Sequence, residues 1–217
     1  MYIPRLLEET DLATLHGLIQ AHPLGMWVTQ AGSELIANHI PFLLDAGRGP
    51  YGTLVGHVAR ANPVWESFSP TMASLVVFRG ADSYITPSWY PSKQVHGRAV
   101  PTWNYAVVHA SGMPRAIQDR DWMLKLVTRL TDVQEASRTE PWEVADAPPE
   151  HIDRLLKNIV GIEIPIDRLV GKWKANQTSP PADKLGVIEG LTELGDPKSL
   201  EMAALVRRHA TPPPEEK

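Results

Sequence analysis

The stretch Thr53-Leu54-Val55-Gly56-His57-Val58-Ala59-Arg60-Ala61-Asn62-Pro63-Val64-Trp65 decides the fold. Its first seven residues are mostly apolar or β-branched with no helical spacing, and Asn62-Pro63 supplies a turn that stops them, so the segment reads as a strand. Upstream, Met26–Thr29 and Leu35–Leu44 have the same character, and downstream Ser74–Arg79 and Thr102–Ala110 repeat it, with Gly, Pro and Asp between them. Several short strands without long intervening helices predict an antiparallel barrel.

Helical spacing appears outside this block. Leu12, Leu15, Leu18 and Ile19 share one face of a helix over Asp11–His22, which Pro23 ends. Trp122, Leu126, Leu130 and Val133 predict a second helix over Asp121–Val133, and a third is expected over Glu150–Asn158. Val160–Asp167 alternates like a half-buried strand, with Pro165 pointing to a sheet edge. Asp183–Arg208 carries two short helical patterns broken at Asp196-Pro197, and Thr211–Lys217 reads as a disordered tail. The expected class is α+β, with a barrel and flanking helices over 1–178, a helical extension over 179–210 and the tail over 211–217.

Composition narrows the chemistry. The chain has 217 residues, 43% hydrophobic and 21% charged, and a formal net charge of −4, which argues against direct DNA binding through many phosphate contacts. It has no cysteine, which removes disulfides, thiolate metal sites and cysteine nucleophiles. No run of about 18 apolar residues occurs and Met1–Arg5 lacks a signal-like apolar core, so a cytoplasmic protein without membrane contact is expected. Gly47-Arg48-Gly49-Pro50-Tyr51-Gly52 matches a dinucleotide pattern in letters only, because a strand rather than a helix follows; it reads as a hairpin loop. The histidines are scattered without metal-ligand spacing, and no Gly-x-Ser-x-Gly elbow occurs.

Four segments could carry a ligand. His57, Arg60 and Asn62 gather donors at a strand end followed by a turn, a setting that could hold phosphate, although on spacing alone ordinary rim residues are favoured. Asn38 and His39 interrupt an apolar strand and must point to opposite faces, so one of them needs a buried partner or a ligand. Val100–Tyr105 and Pro87–Lys93 concentrate aromatics around prolines; alternation sets Trp103, Tyr105 and His109 on one face and Asn104 on the other, as a wall for a flat ring or as packing. Gly171-Lys172-Trp173-Lys174-Ala175-Asn176-Gln177 brings Lys172, Lys174 and Gln177 together, either as a solvated basic loop or as a phosphate or partner contact.

These segments, in this order, resemble the PaiB family. The resemblance runs through Met1-Tyr2-Ile3-Pro4, Ala37–Pro41, Gly56–Pro63, Tyr84–Tyr90, Val100–Tyr105, Pro141-Trp142, Ile159–Ile164 and Gly171-Lys172-x-Lys174, nearly the whole chain. It implies a Greek-key split β-barrel that binds FMN, a homodimer with flavin sites between subunits, and a role as a negative transcriptional regulator. It further implies that Asn38, His39, His57, Arg60 and Asn62 lie near the flavin phosphate, with Trp103, Asn104, Tyr105, Lys172, Lys174 and Gln177 also at the cofactor. The chain departs from the family pattern at Asn176 and Thr178. The alternatives are an FMN-dependent oxidoreductase and a haem protein with His39, His57 or His109 near iron.

Overall fold

The computed structural model describes residues 1–210; the tail expected at 211–217 lies outside them. In chain order the elements are a 3-10 turn (Arg5–Leu7), β1 (Glu8–Glu9), α1 (Leu12–Ala21), β2 (Leu24–Ala31), β3 (Glu34–Pro41), β4 (Leu43–Asp45), β5 (Thr53–Ala59) and α2 (Val64–Ser67). There follow β6 (Ser74–Ile85), a 3-10 turn (Pro87–Trp89), α3 (Ser92–His96), β7 (Thr102–Gly112), β8 (Arg115–Ile117), α4 (Arg120–Glu135) and a 3-10 turn (Val144–Asp146). The last elements are α5 (Pro149–Leu156), β9 (Ile159–Pro165), β10 (Arg168–Lys174), α6 (Pro181–Leu194) and α7 (Pro197–Arg208). The class is α+β with antiparallel pairing in every register described. No helix of the described residues is long and apolar enough to cross a membrane.

The chain forms two compact units. The larger holds Ile19–Phe78 and His109–Leu169, and the smaller holds Met1–Leu18, Arg79–Val108 and the described residues from Val170 onward.

In the larger unit β2 pairs with β3 from Leu24↔Pro41 to Ala31↔Glu34 and, on its other side, with β6. The second sheet has the order β4–β5–β9–β8. Gly47–Gly52 is indeed the loop of the β4–β5 hairpin, with Asp45 opposite Thr53. β9 is no edge strand: it lies between β5 and β8, and Pro165 is tolerated because it is the terminal residue, opposite Thr53. Its buried apolar residues Val160, Ile162 and Ile164 join Leu54, Val58 and Phe42 in the core. On the other flank α4 sets Leu126 against Leu43 and Val55. Gly161 is needed there, since a Cβ would stand 2.3 Å from the Trp122 ring.

The smaller unit orders its strands β1–β10–β7–β6, with Glu8 opposite Lys172. β6 reaches Ile85 rather than stopping near Arg79, because Gly80 is a close-packing position and not a breaker: a Cβ would lie 3.0 Å from Leu18 Cδ1. β10 is a strand that the sequence pattern does not predict, since Gly171–Gln177 reads there as a basic loop or as a phosphate or partner contact. Its lysines alternate with buried Leu169, Gly171 and Trp173, which is a half-buried strand with its charges outward. α6 and α7 pack on each other through Val187, Leu191, Met202 and Val206, broken where Asp196 caps Lys198 and Ser199. Trp89 seats on α6 at Gly190, where a Cβ would be 2.2 Å from its ring.

Candidate functional site

At the end of β5 in the larger unit, His57 stands opposite Gly161 on β9. Burial lowers its pKa below 6.5, so at neutral pH the imidazole is uncharged. Its Nδ1 is enclosed and has no hydrogen-bond partner among the described residues. On β3, Asn38 shares a face with Trp27, its cross-strand partner, and with Thr29 two residues on. Asn62 Nδ2 donates to Asn38 Oδ1 at 2.7 Å, while Asn62 Oδ1 accepts from Val64 N at 3.0 Å, closing the turn that starts α2. This bond turns Asn38 so that its Nδ2 is enclosed and unpartnered among the described residues, as are Trp27 Nε1 and Thr29 Oγ1. His39, on the opposite face, is exposed.

Arg60 is largely committed to the protein. Its Nε donates to Lys157 O at 2.7 Å, Nη1 to Gln118 Oε1 at 2.9 Å and Nη2 to Ile159 O at 3.2 Å, which fastens the end of β5 to the start of β9. Its guanidinium lies 5.7 Å from the Trp65 ring centre. That leaves two of the five guanidinium N–H groups for a ligand.

In the smaller unit, Trp103 is half exposed, donates from Nε1 to Asp82 Oδ1 at 3.1 Å and meets Tyr84 edge-on with ring centres 6.1 Å apart. Lys172 Nζ donates to Tyr2 O at 3.2 Å and sits 5.4 Å from the Tyr105 ring centre. Asn104 is fully buried; its Nδ2 donates to Asn176 Oδ1 at 2.5 Å, whereas its Oδ1 has no partner among the described residues. Asn176 Nδ2 in turn donates to Tyr90 Oη at 3.3 Å and Ser179 Oγ at 3.0 Å. Lys174 Nζ donates to Thr102 Oγ1 at 2.5 Å. Gln177 is spent on its own turn, accepting from Ala175 N and donating to Trp173 O.

The sequence candidates therefore fall into two sets. Asn38, His39, His57, Arg60 and Asn62 belong to the larger unit, and Trp103, Asn104, Tyr105, Lys172, Lys174 and Gln177 to the smaller. Asn38 and Asn62 meet directly, and Asn104, Lys174 and Gln177 line one cavity of about 540 Å³. Sequence reasoning missed Trp27 and Thr29, whose polar atoms are enclosed by packing that no local pattern displays. It also passed over Asn176 as a substituted position. Asn176 is the hub of the Asn104 network and, among the described residues, the sole non-glycine at positive φ (56°), a conformation asparagine tolerates better than most.

His57 gives a pH dependence. Its native pKa is depressed, so on acidification the unfolded chain binds the proton first, and stability is full above about pH 6.5 and falls as pH drops below it. His109 and His209 are lowered by burial as well and act in the same direction. Thermal unfolding followed between pH 7.5 and 5.5 is expected to show a falling midpoint, with a shallower fall in His57→Gln; an unchanged slope in that variant would contradict burial as the cause.

By fold the chain is an α+β protein of antiparallel sheets that encloses unpartnered polar atoms among the described residues. The particular family follows from comparison: residues 1–168 match the family described as "Putative FMN-binding domain". The chain belongs to this family, in its PaiB branch, and FMN is the family's cofactor. It is 30% identical to the protease synthase and sporulation protein PAI 2 of Bacillus subtilis, over 95% of this chain and 96% of that one. A protein of Emericella nidulans is 35% identical over 95% of this chain and 96% of its own length. Among solved structures, a flavocytochrome from Azotobacter vinelandii superposes with a TM-score of 0.58 at 12% identity, covering 80% of this chain and 72% of that one, a likeness of fold.

Proposed function

We propose that this protein is a cytoplasmic FMN-binding split-barrel flavoprotein of the PaiB kind, with the flavin phosphate at the end of β5 and a regulatory or redox-sensing role. The observation that carries the reading is the pair of enclosed, unpartnered nitrogens, Asn38 Nδ2, an amide donor, and His57 Nδ1, a donor in the Nδ1–H tautomer that a phosphate oxygen would select. A buried donor without a partner costs about 1–3 kcal/mol, and phosphate oxygens are acceptors that would offset it. The residues present thus fit the group: Asn38 and His57 would donate, Asn62 holds Asn38 in position, and the two spare N–H groups of Arg60 add charge. Bound FMN supplies one- and two-electron redox chemistry.

The aromatic surface of Trp103, Tyr84 and Tyr105 is the ring-facing candidate, offered in a homodimer to the flavin held by the other copy. A dimer would also cover strand edges. With a net charge of −4, regulation is read as indirect rather than through tight duplex binding. A haem reading keeps one specific support, that burial holds His57 and His109 in the neutral form that ligates metal.

The absorbance spectrum and mass spectrum of the protein as purified separate flavin from haem. Titration is expected to show FMN bound at least about tenfold more tightly than riboflavin, since a charge-assisted phosphate contact is worth about 1.5–3 kcal/mol. Equal affinities would place the phosphate in solvent, and a colourless chain indifferent to FMN would remove the proposal.

A further inference from the structure

The cavity of about 540 Å³ in the smaller unit has a donor set unlike that of the β5 end, and a volume ordinary for small-molecule sites. Two cations line it, Lys174 and Arg98. Lys174 is steered by Thr102, and the exposed Arg98 guanidinium has no hydrogen bond or ion pair among the described residues. Asp183, the carboxylate of the lining, is buried and turned to Ser92, accepting from Ser92 N at 3.0 Å and Ser92 Oγ at 2.7 Å, and its one negative charge is outnumbered by the two cations. Asn104 is also in the lining, with its residue 0% exposed, and its Oδ1 is an acceptor without a partner among the described residues.

Asn104 cannot turn away to satisfy that oxygen, because its Nδ2 is held by Asn176, itself held by Tyr90 and Ser179. Burial raises the Tyr90 pKa, so its hydroxyl accepts from Asn176 and keeps a proton to donate. Leu6, Leu7 and Val100 supply an apolar side for the body of a ligand. An orphan acceptor at depth with cations at the margin asks for two groups on one molecule, an N–H and a negative charge.

We propose that this cavity is a binding site for a small organic anion that carries an amide or imide N–H beside a carboxylate, separate from the flavin phosphate site. Asn104 Oδ1 accepts the ligand's N–H, Tyr90 Oη or Ser179 Oγ donates to an adjoining carbonyl, and Arg98 and Lys174 face the carboxylate.

The test is calorimetric titration of the FMN-loaded full-length chain with orotate, a planar imide bearing a carboxylate, and with uracil, the same imide without it. Orotate is expected to bind at least about tenfold more tightly than uracil, and Arg98→Ala to remove about tenfold from orotate while leaving uracil and flavin content unchanged, as loss of a charge-assisted contact requires. Arg98 is exposed and its side chain makes no hydrogen bond or ion pair among the described residues, so this variant tests the site without unfolding it. Asn104→Asp is the second variant, expected to weaken orotate relative to uracil, because a carboxylate there still accepts the imide N–H of both probes but repels the anion. No heat with either probe, or orotate affinity untouched by Arg98→Ala, would overturn the proposal. Orotate binding to the flavin-free chain that FMN abolishes would also overturn it, by giving the cavity to the cofactor. Flavin content is read independently from visible absorbance; a chain that takes up no FMN sinks the flavin reading alone, and orotate titration of that chain still decides this one.

Discussion

The double variant Asn38→Ala with His57→Ala is expected to weaken FMN by about a hundredfold or more while changing riboflavin affinity little. Each removed contact to a charged oxygen is worth about 1.5–3 kcal/mol, and two together reach about 3 kcal/mol at the low end, a little over a hundredfold. Riboflavin lacks the phosphate, which makes it the internal control. The flavin-free protein should not lose comparable stability, because the deleted Asn38 Nδ2 and His57 Nδ1 have no protein partner among the described residues. Part of the cost is the Asn62 amide, which loses its bond to Asn38, so Asn62→Ala alone should reproduce a fraction of the FMN loss by freeing Asn38 to rotate. Fluorescence titration with both ligands reads all of this. Parallel losses for FMN and riboflavin would mean that these residues shape the fold and not the phosphate site.

Gly112→Ala is expected to be the most destabilising small substitution in the larger unit. A Cβ at this last residue of β7 would lie 1.9 Å from Pro165 O and 3.0 Å from Pro165 C. The obstacle is backbone, so no rotamer relieves it. Nor is Pro165 free to retreat: Ile164 and Ile166 on either side are buried, and Ile166 N and Asp167 N are bonded to Gly52 O and Ser111 O. Overpacking against such a frame costs about 3 kcal/mol or more, which at this chain length lowers the unfolding midpoint by about 6–12 °C. Gly17→Ala is the control. Gly17 lies exposed in α1 with nothing within 4 Å of its Cβ position, so there the change should add about 0.5–1 kcal/mol through helix propensity. Equal midpoints for wild type and Gly112→Ala would show that the strand ends slide freely.

The local pattern of Thr53–Ala59 was sufficient for β5 because every residue that makes it a strand lies within it, and the same holds for α1, α4 and the break at Asp196-Pro197. β10 was not legible. Lys172 and Lys174 dominate a short segment by charge, and the signal that makes it a strand is the burial of Leu169 and Trp173 by elements far along the chain. Gly80 was misjudged for a related reason: a glycine that breaks a strand and one that lets Leu18 approach it look identical in sequence.

For the site, the sequence by itself determined which residue types are present in which order, and that ordered set carried family and cofactor. Seven or more blocks in sequence are a one-dimensional property, and no folding is needed to read them. What tertiary structure decided is which of those groups are free to act. Arg60 and Gln177 are donors and acceptors on paper, yet Lys157 O, Ile159 O and Gln118 Oε1 have claimed three of Arg60's five N–H groups, and Ala175 N and Trp173 O hold the Gln177 amide in its own turn. Asn38, His57 and Asn104 keep enclosed polar atoms without partners among the described residues, and Trp27 and Thr29 join them without any local signal. The physical reason is that hydrogen-bond satisfaction depends on neighbours brought together by packing across long sequence separations, and a polar atom's vacancy for a ligand is set only when those neighbours are in place.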